Sequence, residues 1–154
     1  MVKGQDPYAR GLIDFNPFVE RRRMTGEVVA VLEGRLSNRG LVLIHARSRA
    51  CRKHDIHELI LTAESQAKPG VQVDKIAYLA FFEVTSGAVV VAGDHIIIGD
   101  RWNGTVAGFD ETHAPNHINI VVTGEKEWTG QEAGLRVGDA VHIIPAGDED
   151  EFSS

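Results

Sequence analysis

The apolar segments of this chain are short, and their shortness constrains the fold more than any other feature. Residues 27–32, 41–45, 89–91, 95–98, 105–109 and 117–123 are each apolar or rich in β-branched side chains. Turn signals separate such runs about every 8 to 12 residues, the spacing of a small barrel or sandwich. No long stretch carries the 3.6-residue period of an amphipathic helix. The expectation is a mainly β protein: a small closed or partly open β-barrel preceded by an irregular N-terminal arm.

Individual segments refine this picture. Asn38-Arg39-Gly40, Lys68-Pro69-Gly70 and Asn103-Gly104 read as turns. Residues 73–84 form a long apolar strand, bent or buried on both faces, that Ser86-Gly87 ends. Residues 56–62 fit either a short helix or a strand, and the basic, polar residues 48–54 read as a loop. Gly93-Asp94 and Gly138-Asp139 each stand ahead of an apolar strand. Glycine admits the backbone angles of a tight turn, and aspartate bonds the amides around it. Pro7, Gly11 and Pro17 interrupt any helix over residues 1–20, where Leu12, Ile13, Phe15, Phe18 and Val19 predict an arm packed on its own domain or a neighbour. The barrel is expected over 21–146 and a disordered acidic tail over 147–154.

A length of 154 residues suits one domain. Cys51 is the single cysteine, so no internal disulfide forms. The first ten residues are polar, unlike a signal peptide, and every apolar run is too short to span a bilayer. These features predict a cytoplasmic protein with no membrane contact. The net charge of −6 is unevenly spread: residues 1–53 carry eleven Lys or Arg against five Asp or Glu, and residues 54–154 carry five against seventeen. Such a split serves an anion-binding face, two complementary halves of one fold, or complementary faces of a homo-oligomer.

Two segments carry candidate chemistry. Residues 108–117 hold Asp110, Glu111, His113 and His117. Imidazole and carboxylate suit zinc and related divalent metals, and His95 or His142 on neighbouring strands could complete a set with His113 and His117. Pro115 excludes a regular helix between the two histidines, so they would converge in a loop. His113 beside Asp110 or Glu111 would also form an acid–base pair. The other reading is a hydrogen-bonded loop with His117 leading a strand. The second segment, residues 47–54, offers Arg47, Arg49, Arg52 and Lys53 to a small anionic ligand such as a phosphate. It has no interleaved aromatics for base stacking, and the acidic whole disfavours nucleic acid. Positive neighbours would lower the Cys51 thiol pKa and make it a nucleophile, against the alternative of an inert cysteine. The chain has no Gly-x-Ser-x-Gly elbow, no Gly-x-Gly-x-x-Gly and no P-loop.

Gly93-Asp94, the apolar 96–98, Val106-Ala107-Gly108, Asn116-His117-Ile118 and Gly138-Asp139 together resemble the glucitol/sorbitol-specific IIA component of the sugar phosphotransferase system over about the C-terminal 60 residues. The resemblance implies a small closed barrel of about eight strands. That family's phospho-acceptor histidine has no counterpart in residues 79–83, so the resemblance implies the fold rather than phosphoryl transfer. The expected function is a ligand-binding or interaction module acting as a homo-oligomer, with a small metal-dependent enzyme as the alternative.

Overall fold

The computed structural model describes residues 21–147, and the expected arm over 1–20 and the tail beyond 147 lie outside them. Within these bounds the ordered elements are strands: β1 (Met24–Val31), β2 (Arg35–Leu36), β3 (Leu41–Val42), β4 (Ser48–Cys51), β5 (Ile56–Thr62), β6 (Gln72–Val73), β7 (Ile76–Ser86), β8 (Ala88–Val91), β9 (His95–Ile98), β10 (Trp102–Asp110), β11 (Asn119–Thr123) and β12 (Ala140–Ile144). Seven of them run β1-β12-β9-β10-β11-β5-β7 around a sheet that β7 closes onto β1, and β2 adds an eighth strand to β7. The barrel is therefore closed, and mixed: β5 and β11 run parallel, Glu58 opposite Asn119 and Thr62 opposite Thr123, while every other pair is antiparallel.

Alternation along the strands sorts their side chains to two sides. Leu59 and Leu61 of β5, Phe82 of β7, Ile96 and Ile98 of β9, Ile120 and Val122 of β11 and Val141 and Ile143 of β12 belong to one buried cluster, the barrel interior. Ile60 and Val121 point the other way and are covered by Leu41, Leu43 and Val73 around the short β3–β6 pair. This second layer explains why residues 59–62 are buried without interruption and gave no clean period in the sequence. Each large aliphatic side chain so buried contributes about 2 kcal/mol.

Two local readings are corrected. Residues 48–51 form strand β4 rather than a loop, because β8 offers them a paired edge from Ser48–Val91 to Cys51–Ala88. Asn103-Gly104 is not a turn: both residues lie inside β10, and the chain reverses earlier, at Gly99, whose φ is 56°. Gly104 is needed for close approach instead. A Cβ there would run into the Thr123 carbonyl and stand 2.6 Å from the Trp102 ring.

The Gly-Asp pairs do make the same turn twice. The Asp94 amide bonds the Val91 carbonyl at 2.9 Å and its carboxylate accepts the Val91 amide at 2.8 Å. Asp139 repeats both bonds with Arg136, at 3.0 and 2.9 Å. A third copy had no glycine to betray it: Asp55 bonds Arg52 in the same manner, at 3.0 and 2.9 Å. The left-handed position held by Gly93 (φ 102°) and Gly138 (φ 95°) is there taken by His54 (φ 78°). Asp94 has a further role. Its buried carboxylate takes both terminal nitrogens of Arg21, at 2.7 and 2.6 Å, and the Ala146 amide at 3.3 Å. Arg21 is thus held in an ion pair, and one of its nitrogens also donates to the Val89 carbonyl of β8 at 2.6 Å.

Candidate ligand-binding site

The two segments singled out in the sequence meet at one end of the barrel. The ladder fixes which end: Asp110 pairs with Asn119, and Asn119 with Glu58, so the loop over 111–118 folds beside the start of β5. There Arg49, Ala50, Arg52, Asp55, Ile56 and His57 face residues 114–118 across a cavity of about 240 Å³. Arg49 reaches Glu111 of the loop at 3.5 Å, which ties the basic strand to the histidine loop.

His57 is the central residue, and the sequence reading passed over it. Its parity with Leu59 and Leu61 turns it toward the barrel interior, where its ring lies 6.2 Å from that of Phe82. It is 7% exposed, and neither ring nitrogen has a hydrogen-bond partner. Nε2 stands 3.6 Å from an Asp55 carboxylate oxygen, close enough for attraction but too long for a hydrogen bond. Burial lowers the His57 pKa from its ordinary 6.5; Asp55 works against that shift, and Arg49 and His117 add to it. An imidazole with two buried nitrogens that lack partners costs stability.

His117 stands on the rim with both nitrogens engaged. Nε2 lies 3.3 Å from a Glu58 carboxylate oxygen, and Nδ1 lies 2.9 Å from the Asn116 side-chain nitrogen. An amide NH₂ can only donate, so Nδ1 accepts and the proton sits on Nε2, donated to Glu58. Burial pushes the Glu58 carboxyl upward, partly offset by this hydrogen bond. The His113 ring lies 5.1 Å from that of His117, and the Phe81 edge meets His117 at 5.2 Å.

Other candidates are placed differently from the expectation. His95 sits opposite Thr105, five residues along β10 from Asp110, or about 16 Å of strand, and does not approach His113 and His117. His142 pairs with Ile97 and Thr25 and lies on β12, which β9 and β10 separate from β11. Among the described residues no three His, Cys, Asp or Glu side chains stand close enough to hold a metal ion. Asp110 forms no pair with His113: its carboxylate accepts the Thr112 amide and hydroxyl and the Asn119 side chain, and so shapes the loop. The Ala114–Pro115 peptide in that loop is cis. Cys51 is 2% exposed and burial pushes its thiol up to about 12, so it is an inert core residue. Arg47 faces away, into a groove of about 1000 Å³ at the opposite end of the barrel, and Lys53 is exposed beside the third Asp turn. Among the described residues no helix is long and apolar enough to cross a membrane.

Searches among curated proteins and among solved structures find no match. A protein-family match covers residues 18–144, almost the whole described barrel, and the chain belongs to DUF6917, a family of unknown function.

Proposed function

We propose that this protein is a ligand-binding barrel that takes a small anion in the pocket around His57. The observation that carries this reading is the pocket of about 240 Å³ at the barrel mouth, which Arg49 and Arg52 line together with the buried His57 ring. Binding pockets combine an apolar wall with a few convergent polar groups, and Ala50, Ala114, Pro115 and Ile118 supply the wall here. Two guanidiniums give the rim the bidentate donors that oxyanions prefer. The likeness to the phosphotransferase IIA component enters this proposal as a scaffold, a small barrel holding a polar site at one end. No side chain in the pocket supplies an uncommitted nucleophile besides His57, which supports binding over covalent chemistry.

Thermal unfolding in the presence of acetate, benzoate and inorganic phosphate tests the reading. A ligand at a hundred times its Kd stabilises the folded state by about 2.7 kcal/mol. The protein is expected to gain stability with at least one of these anions, and the Arg49→Ala/Arg52→Ala double variant to lose the gain. An equal response in that variant would remove the anion site from this pocket.

A further inference from the structure

We propose that the groove at the far end of the barrel binds a mononucleotide, with its phosphate on Arg47 and Lys68 and its base on the Trp128 indole. This groove of about 1000 Å³ shares no lining residue with the mouth pocket. Its floor is β10, whose residues 103–107 line it over about 13 Å of strand. Pairing and packing put different chemistry at the two ends of that floor. At the Ala107 end, the Gly93 amide donates to the Val106 carbonyl at 2.7 Å, and the adjoining Ala92 amide donates to the Arg47 carbonyl at 2.8 Å. Ala67 packs against the buried cluster that holds Ala107, which brings Lys68 to the same end. At the Asn103 end, Thr123 stands opposite Thr105, and the chain runs on past the Trp102 ring at Gly124 to Lys126 and Trp128. Between the ends, Asn103, Thr105 and Thr123 offer amide and hydroxyl groups. A ligand that matches this order has an anionic head, a hydroxylated middle and a planar ring, which are the phosphate, ribose and base of a nucleotide.

The charges agree with this order. Arg47 and Lys68 are exposed, and neither side chain has a partner among the described residues. Glu64 is the carboxylate of the lining nearest to Lys68 in the chain, and it spends its oxygens on the Asp74 and Lys75 amides and on Gln66, at 2.8, 2.7 and 2.7 Å. Asp94, next to Gly93, is matched by Arg21. The head end therefore holds two cations against one carboxylate, in a chain whose net charge is −6. At the ring end, Arg101 faces Asp100 at 3.3 Å and Asp139 at 3.9 Å, and Glu125 offsets Lys126 beside it in the chain. Guanidinium and ammonium groups with no other partner are the donors that phosphate takes. The Trp128 indole is 38% exposed, and Lys126 Nζ stands 4.6 Å from its ring centre. That lysine is itself exposed, so an incoming base can replace it and exchange a cation–π contact for stacking.

The chain has two tryptophans and both line this groove, so intrinsic fluorescence reports on the groove directly. Titration with adenosine monophosphate at low salt, excited beyond the adenine band, tests the proposal. Saturable quenching is expected, with an affinity that falls as salt is raised. Adenosine, which lacks the phosphate, and ribose phosphate, which lacks the ring, should each bind at least about tenfold more weakly, as followed by equilibrium dialysis. Arg47→Ala/Lys68→Ala should bring adenosine monophosphate down to the affinity of adenosine, and these side chains have no partner among the described residues whose loss would disturb the fold. Trp128→Ala should lose affinity by a similar factor. Arg49→Ala/Arg52→Ala, at the mouth pocket, should leave the affinity unchanged. No saturable binding of adenosine monophosphate by fluorescence or dialysis would overturn the proposal. So would adenosine or ribose phosphate binding as tightly as the nucleotide, or binding that survives Arg47→Ala/Lys68→Ala. Loss of binding in Arg49→Ala/Arg52→Ala alone would overturn it too, by moving the nucleotide to the mouth pocket.

Discussion

At the end of the barrel where β10 begins, the Trp102 indole is packed in, 8% exposed, at the edge of the groove of about 1000 Å³, and the chain accommodates it with Gly104 and Gly124. At the end where β5 begins, His57 takes the interior register that Leu59 and Leu61 continue, and its ring lines the smaller cavity of about 240 Å³. The first end encloses its ring in apolar surface and small residues shaped to it, which contributes to stability. The second leaves buried polar atoms without partners, which works against stability. The lesson is that one barrel treats its two interior rings differently: Trp102 is packed for stability, and His57 keeps buried nitrogens without partners.

Mutations can break or sharpen that contrast. The largest effect is expected at the first end, where Trp102→Ala should cost about 3–5 kcal/mol in chemical unfolding, the range for emptying a large aromatic site. A loss under 1 kcal/mol would mean that the indole is dispensable as a plug. At the other end the sign reverses. His57→Leu replaces unpartnered nitrogens with apolar volume and should stabilise the protein by about 1 kcal/mol at pH 7.5, measured in the same way. The same variant should also change the acid response. The folded-state pKa of His57 is depressed, so its contribution is fully present above 6.5 and is lost as pH falls below that value. Melting temperature should therefore drop from pH 7.5 to 5.5, and drop less in His57→Leu. Part of the drop should remain, because burial and Arg23 lower His142 as well. A steeper drop in the variant would show that His57 is not the acid-sensitive group. The smallest effect concerns the rim turn. His54→Gly places the residue used by the two sister turns at a φ of 78° and should add about 0.5 kcal/mol, with no loss of ligand response. A destabilised variant would assign His54 and its 3.2 Å contact with Glu83 more value than the strained backbone costs.

The sequence reading reached the barrel because β1, β9, β11 and β12 each have turn chemistry and β-branched residues in agreement. It went astray where a partner far along the chain decides the outcome. β4 is a strand through β8, some forty residues away, and Gly104 is a strand residue because Trp102 and Thr123 crowd it. The site was half legible. Arg49, Arg52 and His117 were named, but their meeting depends on the parallel pairing of β5 with β11, which no local pattern encodes. His57 was hidden inside an apolar run. Its one visible signal was a histidine in step with Leu59 and Leu61, a polar residue where the alternation calls for an apolar one.

The Asp94 cluster has a mechanical consequence. β1 and β12 are antiparallel neighbours, with Met24 opposite Ile143, so the chain enters and leaves the barrel on the same side. A pull on both termini would open that ladder like a zip, one bond at a time, because its hydrogen bonds lie across the strands. Arg21 and Ala146 are both fastened to Asp94 just outside the first rung. That one carboxylate is the latch at the top of the zip. Asp94→Ala would lower the force at which the barrel begins to open far more than a change of equal size at the distant end of the same two strands.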